Sequence, residues 1–457
     1  MTLAALVDRL RCPECSGPLA FAPAPQPDGL AGACGVLRCG CAAYPVLDGI
    51  PILRRGPLAH RSIGDDRVVA GGPTTAAVVA RVEAGRAADA LVELLSFPVC
   101  PWPLNRVGAL RRLSLRGPLR RAGLAWRRRR VRRMLARRDA LTAEDWLREL
   151  YWHAPAPFDP FNYFLFRFGQ PRHLATLGVL AAVPPSEAPL LELMCGYGHF
   201  LHTVTAGGQA AIGLDQNVHQ LWVARRYVAP GAALVCADAA RPLPFADGAV
   251  GAVLCADAFY YLRDKAAAVR EVERVATGPL VLASLRNARV GAPEAEALPP
   301  EGYTALLGRW SWATWTEADV LDAYLARSTP DLSASSSDLG GHAWLYVLAT
   351  RDAPAAPARW DVWPHAAGTP ALNPLYERTG GRAELRMPSP WYAAENAGLR
   401  RYLPASVAPD TVDPLVSVGV PPAYLSPGGR PRTFAANRWL LSRLAREPSP
   451  LTDSPSA

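Results

Sequence analysis

Three acidic residues in the middle of the chain each stand at the end of a short apolar run. They are Glu192, Asp215 and Asp238. A carboxylate in this position can accept hydrogen bonds from the hydroxyls of a ribose or from an ammonium group. Because the carboxyl ends of parallel strands meet at one edge of a sheet, the pattern predicts that all three acids face one crevice. Each acid taken singly could instead cap a helix, and only the ordered set favours a ligand site.

A glycine-containing turn follows the first apolar run. Residues 190–200 read Leu-Leu-Glu-Leu-Met-Cys-Gly-Tyr-Gly-His-Phe, which predicts a strand, a tight turn and the start of a helix. Glycine in such a turn lets backbone N–H groups approach a nucleotide-like ligand closely. The turn alone is a weak signal, and the acids after the next two runs give it weight.

The elements that must position these residues lie between residues 159 and 352, where short apolar strands alternate with amphipathic helices. This alternation is typical of a parallel sheet with crossover helices. The later strands are predicted at Ala211–Asp215, Ala233–Ala237, Ala252–Cys255 and Leu280–Leu285. Three further regions are expected: a Cys-rich domain at 1–55, a helical, Arg-rich connecting or lid region at 56–158, and a Pro-rich extension at 353–457 with a disordered tail.

The run from residue 190 to 350 resembles the class I S-adenosylmethionine (SAM)-dependent methyltransferases, in particular the methyltransferase type 11-like group, with an aspartate and Leu-Pro-Phe after the third strand. The resemblance implies an α/β fold with a Rossmann-like sheet of seven strands, of which the last, at 342–350, is antiparallel. It implies SAM as the cofactor, with its methionine end at Glu192, its ribose at Asp215 and its adenine at Asp238. The full cofactor-binding set implied is Glu192, Cys195, Gly196, Gly198, Asp215, Gln216, Asp238, Ala239 and Asp257.

Two positions depart from the pattern of that family. Met194 stands where the first glycine of the turn is usual, and Val250-Gly251 replaces the usual Phe-Asp before the fourth strand. The first departure puts the shape of the turn in question. Neither departure removes an acid that would contact the cofactor.

The region near the transferred methyl group holds several candidate catalytic residues. Methyl transfer from a sulfonium is an in-line displacement, and a base is needed only if the acceptor must lose a proton first. The candidates are His199, Asp257, Tyr260 and Tyr261, with a surface position at a helix N-terminus as the preferred interpretation of His199. Three tryptophans, Trp310, Trp312 and Trp315, are predicted in the loop after the fifth strand, where they could line an acceptor pocket or pack in the core.

Cysteines near the N-terminus have the spacing of metal ligands. Cys12-Pro-Glu-Cys15 could point two thiolates at one ion, and Cys39-Gly-Cys41 could supply the second pair, with Cys34 as an alternative ligand. The surrounding sequence, with Tyr-Pro-Val followed by Asp-Gly-Ile-Pro, resembles the Trm112-like zinc-ribbon family. We therefore expect a structural Zn²⁺ on Cys12, Cys15, Cys39 and Cys41, since a site with four cysteine ligands leaves no open coordination position.

The positive charge of the chain is concentrated in one segment. Residues 101–138 contain fourteen arginines and no acid, whereas the rest of the chain has 35 basic and 40 acidic residues. Within 106–138, a helix over 118–138 is predicted with Leu124, Val131, Met134 and Leu135 on one face and arginine over the rest. An anionic partner such as RNA, a membrane surface or an acidic substrate could bind it, and the alternative is a solvated face packed on the catalytic domain.

These patterns together predict a methyltransferase that acts on a small-molecule or metabolite-like acceptor, such as a glycan, lipid-linked or natural-product intermediate. One alternative is an rRNA or tRNA methyltransferase that binds RNA through the zinc ribbon and the Arg-rich helix. A second is a non-catalytic scaffold or activator of another methyltransferase. The first residues lack a signal-peptide pattern and no apolar run is long enough to span a membrane, so we expect a cytoplasmic location or peripheral contact with a membrane.

Overall fold

The computed structural model describes residues 1–25, 30–58, 72–97, 116–151, 160–290, 296–325, 335–351, 373, 375–401 and 403–408. Among these residues, no helix is both long and apolar enough to cross a membrane. Cys100 and the tail at 447–457 lie outside the described residues.

The N-terminal residues form a small antiparallel sheet, here called the ribbon (residues 1–58). Helix α1 (Leu3–Val7) precedes four strands that pair in sequence order: β1 (Ala20–Pro23), β2 (Gly35–Arg38), β3 (Ala43–Leu47) and β4 (Ile50–Pro51). Asp48 and Gly49 join the last two strands, and both have positive φ, 50° and 76°. A two-residue turn of this kind matches the twist of a hairpin, which explains the Asp-Gly pair in the sequence.

A helical region follows the ribbon. It contains α2 (Thr75–Glu83), α3 (Ala87–Ser96), α4 (Arg116–Ala136) and α5 (Ala143–Tyr151), and then α6 (Pro160–Leu165) and α7 (Pro171–Leu180). Helices α2 and α3 are two separate helices and not one, because Gly85 at φ 72° interrupts them.

The central sheet has seven strands. In chain order the elements are β5 (Leu190–Leu193), α8 (His199–Ala206), β6 (Ala211–Asp215), α9 (Val218–Val223), β7 (Ala233–Cys236), β8 (Ala252–Ala256), α10 (Lys265–Val275), β9 (Leu280–Arg286), α11 (Pro300–Ala305), β10 (Ser311–Thr316), α12 (Glu317–Leu325) and β11 (Trp344–Thr350). The strand order is β10-β11-β9-β8-β5-β6-β7. Strands β5 to β9 pair in parallel, and β11 is antiparallel to both neighbours. The predicted seven-stranded α/β sheet is therefore confirmed.

The strand order reverses between β5 and β8, which places a crevice at their carboxyl ends. We call the two sides of this crevice the β5–β7 half and the β8–β11 half. Apolar side chains cover both faces of the sheet: one layer includes Leu91, Leu177 and Trp222, and the other includes Phe245 and Val272.

The ribbon is joined to the free edge of the central sheet. Ile52 forms a parallel bridge with Cys236 of β7, and the Leu53 N–H donates to the Cys236 carbonyl at 2.7 Å. The Trp222 indole N–H also donates to Asp48 Oδ2 at 2.9 Å. The ribbon therefore extends the sheet on the β5–β7 side instead of standing apart as a separate unit.

Part of the C-terminal extension is regular, although its sequence shows no clear period. Strands β12 (Tyr376–Thr379), β13 (Arg382–Leu385) and β14 (Ser406–Val407) form a three-stranded antiparallel sheet, and α13 (Pro390–Glu395) lies between the last two. These elements are short, so sequence periodicity gives little signal for them.

Candidate functional site

The turn after β5 has a left-handed backbone at three positions. Met194, Gly196 and Gly198 have φ of 56°, 55° and 74°. Glycine takes this conformation freely, whereas for methionine it costs about 1 kcal/mol. Met194 thus keeps the backbone shape expected of a glycine, and α8 begins directly after the turn.

Asp215 ends β6 and is held by backbone donors. Its Oδ2 accepts from the Gly196 N–H at 3.1 Å, and its Oδ1 accepts from the Asn217 N–H at 2.8 Å. Burial raises the pKa of Asp215 to about 6, against the lowering effect of these hydrogen bonds and of the Arg54 charge. A carboxylate has further lone pairs beyond these two bonds, so it can still accept ligand hydroxyls.

Glu192 lies one residue before the end of β5 and is 3% exposed. Its Oε2 has no hydrogen-bond partner in the described structure. Burial raises the pKa of Glu192 to about 8, although the charge of Arg167 acts in the opposite direction. A buried carboxyl oxygen without a hydrogen-bond partner is rare, and it suits a site that a cationic ligand completes.

The remaining residues implied for cofactor binding lie around these two acids. Asp238 follows β7 and accepts from the Ala240 N–H at 3.0 Å, with Ala239 buried beside it. Gln216 accepts hydrogen bonds at its backbone carbonyl from Arg54 and from the Cys236 thiol. Cys195 is buried, and the raised pKa of its thiol follows from that burial, so it serves as a small apolar group.

The β8–β11 half holds a different kind of acid. Asp257, just after β8, is buried at φ 55° and accepts from Tyr163 Oη at 2.5 Å, Arg167 Nη1 at 2.8 Å and Tyr260 Oη at 2.9 Å. Although burial alone would raise it, the charges of Arg167 and Arg172 hold the pKa of Asp257 below its usual value. Asp257 is therefore ionised and fully engaged by groups of this chain.

The C-terminal extension completes this half. Arg172 Nη2 donates to the Glu395 carbonyl and to Asn396 Oδ1, both at 3.1 Å, and Arg286 Nη2 lies 2.6 Å from Glu395 Oε1. The two guanidinium groups also lie 4.1 and 4.3 Å from the ring centre of Trp344. The end of α13 is therefore fixed over the carboxyl ends of β8, β9 and the start of β11.

Residues 191–278 match the family model described as "Methyltransferase domain". The strand order of the central sheet and this family match point to the same fold. The central domain has the methyltransferase fold.

Several solved structures resemble this domain, and no curated protein matches the chain. An S-adenosylmethionine-dependent methyltransferase from Mesorhizobium loti is 20% identical over 40% of this chain and 99% of its own, with a TM-score of 0.32. Magnesium protoporphyrin IX methyltransferase from Synechocystis is 15% identical over 46% and 97%, with a TM-score of 0.29. A chain of the complex between the Haloferax volcanii Trm112 methyltransferase activator and a methyltransferase is 17% identical over 44% and 96%, with a TM-score of 0.33.

The methyltransferase-fold domain brings three of the four candidate catalytic residues together. Asp257 and Tyr260 share a hydrogen bond, and Tyr261 packs 4.4 Å from the Tyr260 ring. The expectation of a surface position for His199 is wrong, because it is buried and its Nε2 lies 2.9 Å from the Phe164 carbonyl. Burial lowers the pKa of His199 to about 3, so it is a neutral residue that packs beneath α6.

The prediction that the three tryptophans lie in a loop is also wrong. Trp312 and Trp315 lie in β10, the edge strand of the sheet, and Trp310 comes just before it. Trp310 and Trp315 are buried, with the Trp310 indole N–H 3.1 Å from Glu273 Oε1, whereas Trp312 is 43% exposed. Ser311–Thr316 contains two tryptophans and two threonines, and aromatic and β-branched residues favour strands, so the sequence did carry a signal for β10.

The four predicted metal ligands form one cluster. The sulfur atoms of Cys12, Cys15, Cys39 and Cys41 all lie within 4.8 Å of one another, and three of the pairs are 3.4 to 3.8 Å apart. Tetrahedral zinc with Zn–S bonds of 2.3 Å needs sulfur atoms about 3.8 Å apart, so the geometry suits that ion. Cys34 is not part of the cluster, because it is buried between Gly32 and Asp48.

The Arg-rich helix α4 is anchored by arginine as well as by apolar residues. Val131 and Leu135 are buried as predicted, but Arg127 is also buried, 1% exposed beside Glu149. Arg128 and Arg132 pair with Glu93 and Asp89 of α3 at 2.7 and 2.8 Å, and Arg130 pairs with Glu149. The exposed side of the helix carries Arg121, Arg129 and Arg133, together with Trp126 at 51% exposure, and the exposed Arg137 directly follows the helix.

Sequence reasoning missed several residues of the site. Tyr163 lies in α6 and Arg167 lies in the 3-10 turn after it, four positions along the chain, a spacing that could have indicated a joint role. Glu317, at the start of α12, is half-buried, its Oε2 has no hydrogen-bond partner in the described structure, and burial raises the pKa of its carboxyl. Neither Glu317 nor Arg54 lies in a motif, so sequence alone offered no signal for them.

Proposed function

We propose that the chain is a SAM-dependent methyltransferase that acts on a small-molecule or metabolite-like acceptor. The observation that carries the proposal is the pair of neighbouring buried carboxyls, Glu192 and Asp215, at the carboxyl ends of β5 and β6. The Glu192 Oε2 lacks a hydrogen-bond partner, the Asp215 carboxylate is oriented by the N–H of the glycine turn, and both residues belong to a segment similar to methyltransferase domains.

The residues of the β5–β7 half fit the cofactor. Glu192 would hold the ammonium of its methionine part, Asp215 would accept the ribose hydroxyls and Asp238 would contact the adenine. SAM supplies a methyl group already activated by a positively charged sulfur. The chain therefore has to position the acceptor and exclude water, and the burial of the site serves both needs.

The acceptor is proposed to bind in the β8–β11 half, beneath α13. This half contains charged and aromatic side chains around Asp257, Arg172, Arg286 and Trp344, and the extension covers it. A covered, polar site suits a compact acceptor better than a folded RNA. Glycan, lipid-linked and natural-product intermediates all remain within this proposal.

Glu317 is the proposed proton acceptor for a substrate that must lose a proton. Asp257 is a weak base, since two arginines hold its pKa low, and the pKa of Tyr260 is raised by its burial, so it stays protonated. Glu317 lies in the same half as Asp257. Its pKa is raised, and its Oε2 has no hydrogen-bond partner in the described structure. A raised pKa makes an ionised carboxylate a stronger proton acceptor than one whose pKa is held low.

Transfer of a labelled methyl group tests the activity directly. The purified chain would be incubated with methyl-labelled SAM and, separately, with a low-molecular-mass metabolite pool and with total RNA. We expect label in the metabolite pool and none after Asp215→Ala. Label in RNA would instead support the RNA methyltransferase, and failure of the folded chain to bind SAM at all would leave the scaffold.

The RNA alternative has one observation in its favour. Exposed arginines recur every four residues near the end of α4, at Arg129 and Arg133 within the helix and at Arg137 directly after it, and Trp126 is also exposed. Neutralising these three arginines would remove salt-sensitive retention on RNA if the alternative holds, with the ion-paired Arg128→Gln as the control. Dependence of liposome flotation on the same three arginines would favour a membrane partner and a lipid-linked acceptor.

We propose that the four-cysteine cluster holds one structural Zn²⁺. The short distances between sulfur atoms and the closed ligand set support this. Metal analysis should give about one zinc ion per chain. Cys39→Ser should lose it and Cys34→Ser should keep it, and the opposite pattern would contradict the assignment.

A further inference from the structure

Arg54 connects the ribbon to the cofactor-binding half of the sheet. It follows the two ribbon residues that pair with β7, and its side chain is buried, although it is an arginine. Its own carbonyl accepts from Thr75 Oγ1 at 2.5 Å, at the first residue of α2. The backbone of Arg54 is therefore fixed from both sides, and its guanidinium has a defined direction.

That guanidinium is directed at the turn after β6. Its Nη1 donates to the backbone carbonyl of Gln216, and the Cys236 thiol donates to the same carbonyl at 3.4 Å. Gln216 stands between Asp215 and Asn217, whose N–H donates to the Asp215 carboxylate. A shift of the Gln216 peptide would therefore move the donor that orients Asp215.

The charge of Arg54 acts on the same carboxylate. Burial raises the pKa of Asp215, and the nearby Arg54 charge partly offsets this rise. Ribose hydroxyls donate hydrogen bonds to the ionised form of a carboxylate more strongly than to the neutral form. An arginine from the ribbon would therefore favour the form of Asp215 that binds a nucleoside.

We propose that Arg54 is a positioning residue through which the ribbon sets the shape and charge of the ribose-binding turn. The proposal rests on the proposed function, since it takes Asp215 as the ribose ligand. It gives the ribbon a role in cofactor affinity that is separate from its contribution to folding.

The test compares Arg54→Met with Arg55→Met in the full-length, zinc-loaded chain. Arg55 is the adjacent arginine, but its side chain is 57% exposed, so it controls for loss of one positive charge. Calorimetric titration with SAM between pH 5.5 and 8 would give the dissociation constant and its pH dependence. We expect Arg54→Met to weaken binding about tenfold at pH 6, the effect of one charged hydrogen bond, and to move the midpoint of the pH dependence upward.

Arg54→Lys should restore the midpoint but only part of the affinity, because lysine keeps the charge and loses the guanidinium geometry. Arg55→Met should behave as the unchanged chain. Equal affinities and midpoints in Arg54→Met and the unchanged chain would overturn the proposal, as would equal shifts in Arg54→Met and Arg55→Met.

Thr75→Val provides a second variant in case Arg54→Met does not fold. It removes the hydroxyl that fixes the Arg54 carbonyl and keeps the arginine, so we expect binding to weaken about threefold. An unchanged affinity for SAM in both Thr75→Val and Arg54→Lys would also overturn the proposal. Failure of the unchanged chain to bind SAM would overturn the proposed function instead, so the two failures are distinguishable.

Discussion

Both halves of the crevice have buried acids at the carboxyl ends of their strands. The hydrogen-bond and charge partners of these acids differ between the two halves. In the β5–β7 half, Glu192 has an oxygen without a partner and Asp215 is held by backbone N–H groups. In the β8–β11 half, Asp257 is paired with Arg167 and two tyrosine hydroxyls. Burial raises the pKa of the first two acids, and arginine holds the pKa of the third below its usual value.

The difference favours Glu192 and Asp215 over Asp257 as the acids proposed to bind a ligand. A buried carboxyl without a charged partner costs free energy that a cationic or hydroxyl-bearing ligand can recover. A buried carboxylate that is already paired with a guanidinium group contributes to the fold itself. The role of an acid therefore depends on its hydrogen-bond and charge partners and not on its position at the end of a strand.

The largest expected effect is on the stability of the β8–β11 half. Asp257→Asn removes the counter-charge of the buried Arg167, so we expect the free energy of unfolding to fall by about 3–5 kcal/mol. Asp238→Asn is the matched control in the other half and should cost about 1 kcal/mol or less. Denaturant titration measures both, and equal losses would break the comparison.

Glu192→Gln should affect binding much more than folding. At pH 7 the carboxyl of Glu192 is mostly protonated, since its pKa is about 8, and a bound ammonium would favour the ionised form. SAM binding by the unchanged chain should therefore release up to about one proton, seen as dependence of the calorimetric heat on the ionisation enthalpy of the buffer. The variant should bind about 10- to 100-fold more weakly and release no proton through this group. Proton release that survives the substitution would exclude Glu192 as its source.

Because the pKa of Glu192 is raised in the folded protein, the free energy of unfolding should fall as the pH rises. Protonated Glu192 favours the folded state, so this contribution is fully present below the unfolded pKa of 4.5 and is lost as the pH rises to about 8. Glu192→Gln should reduce the decline in the free energy of unfolding between pH 4.5 and 8. An unchanged slope, measured by denaturant titration at each pH, would contradict the assignment.

Tyr163→Phe should have the smallest effect of the series. The tyrosine hydroxyl donates to Asp257 and accepts from Arg167 at 2.6 Å, but the guanidinium still contacts the carboxylate without it. We expect a loss of about 1 kcal/mol of unfolding free energy and little change in SAM affinity. A loss as large as that of Asp257→Asn would mean that the hydroxyl, rather than the arginine, is the main partner.

The strands and the acids at their ends were predictable because their signals are local. Asp215 ends an apolar run and the glycine turn follows another, so the sequence placed the central strands to within about one residue. The four cysteines were predictable from spacing alone, but the place where the ribbon joins the sheet was not.

The β8–β11 half depends on contacts between distant parts of the chain. Arg172 and Glu395 are 223 positions apart, and no periodicity connects them. The burial of Arg127 against Glu149 could not be predicted either, because a helix pattern treats arginine as a surface residue. Single-sequence patterns describe elements, whereas the partners of buried charges appear only when the elements are packed.

Calorimetric titration of the folded chain with SAM at pH 7.5 tests the central claim most directly. We predict saturable binding by the unchanged chain at about one site, and binding by Asp215→Ala that is weaker by about 100-fold, consistent with loss of two charged hydrogen bonds to the ribose. No heat of binding from a chain shown to be folded, or identical titrations for the two proteins, would contradict the account.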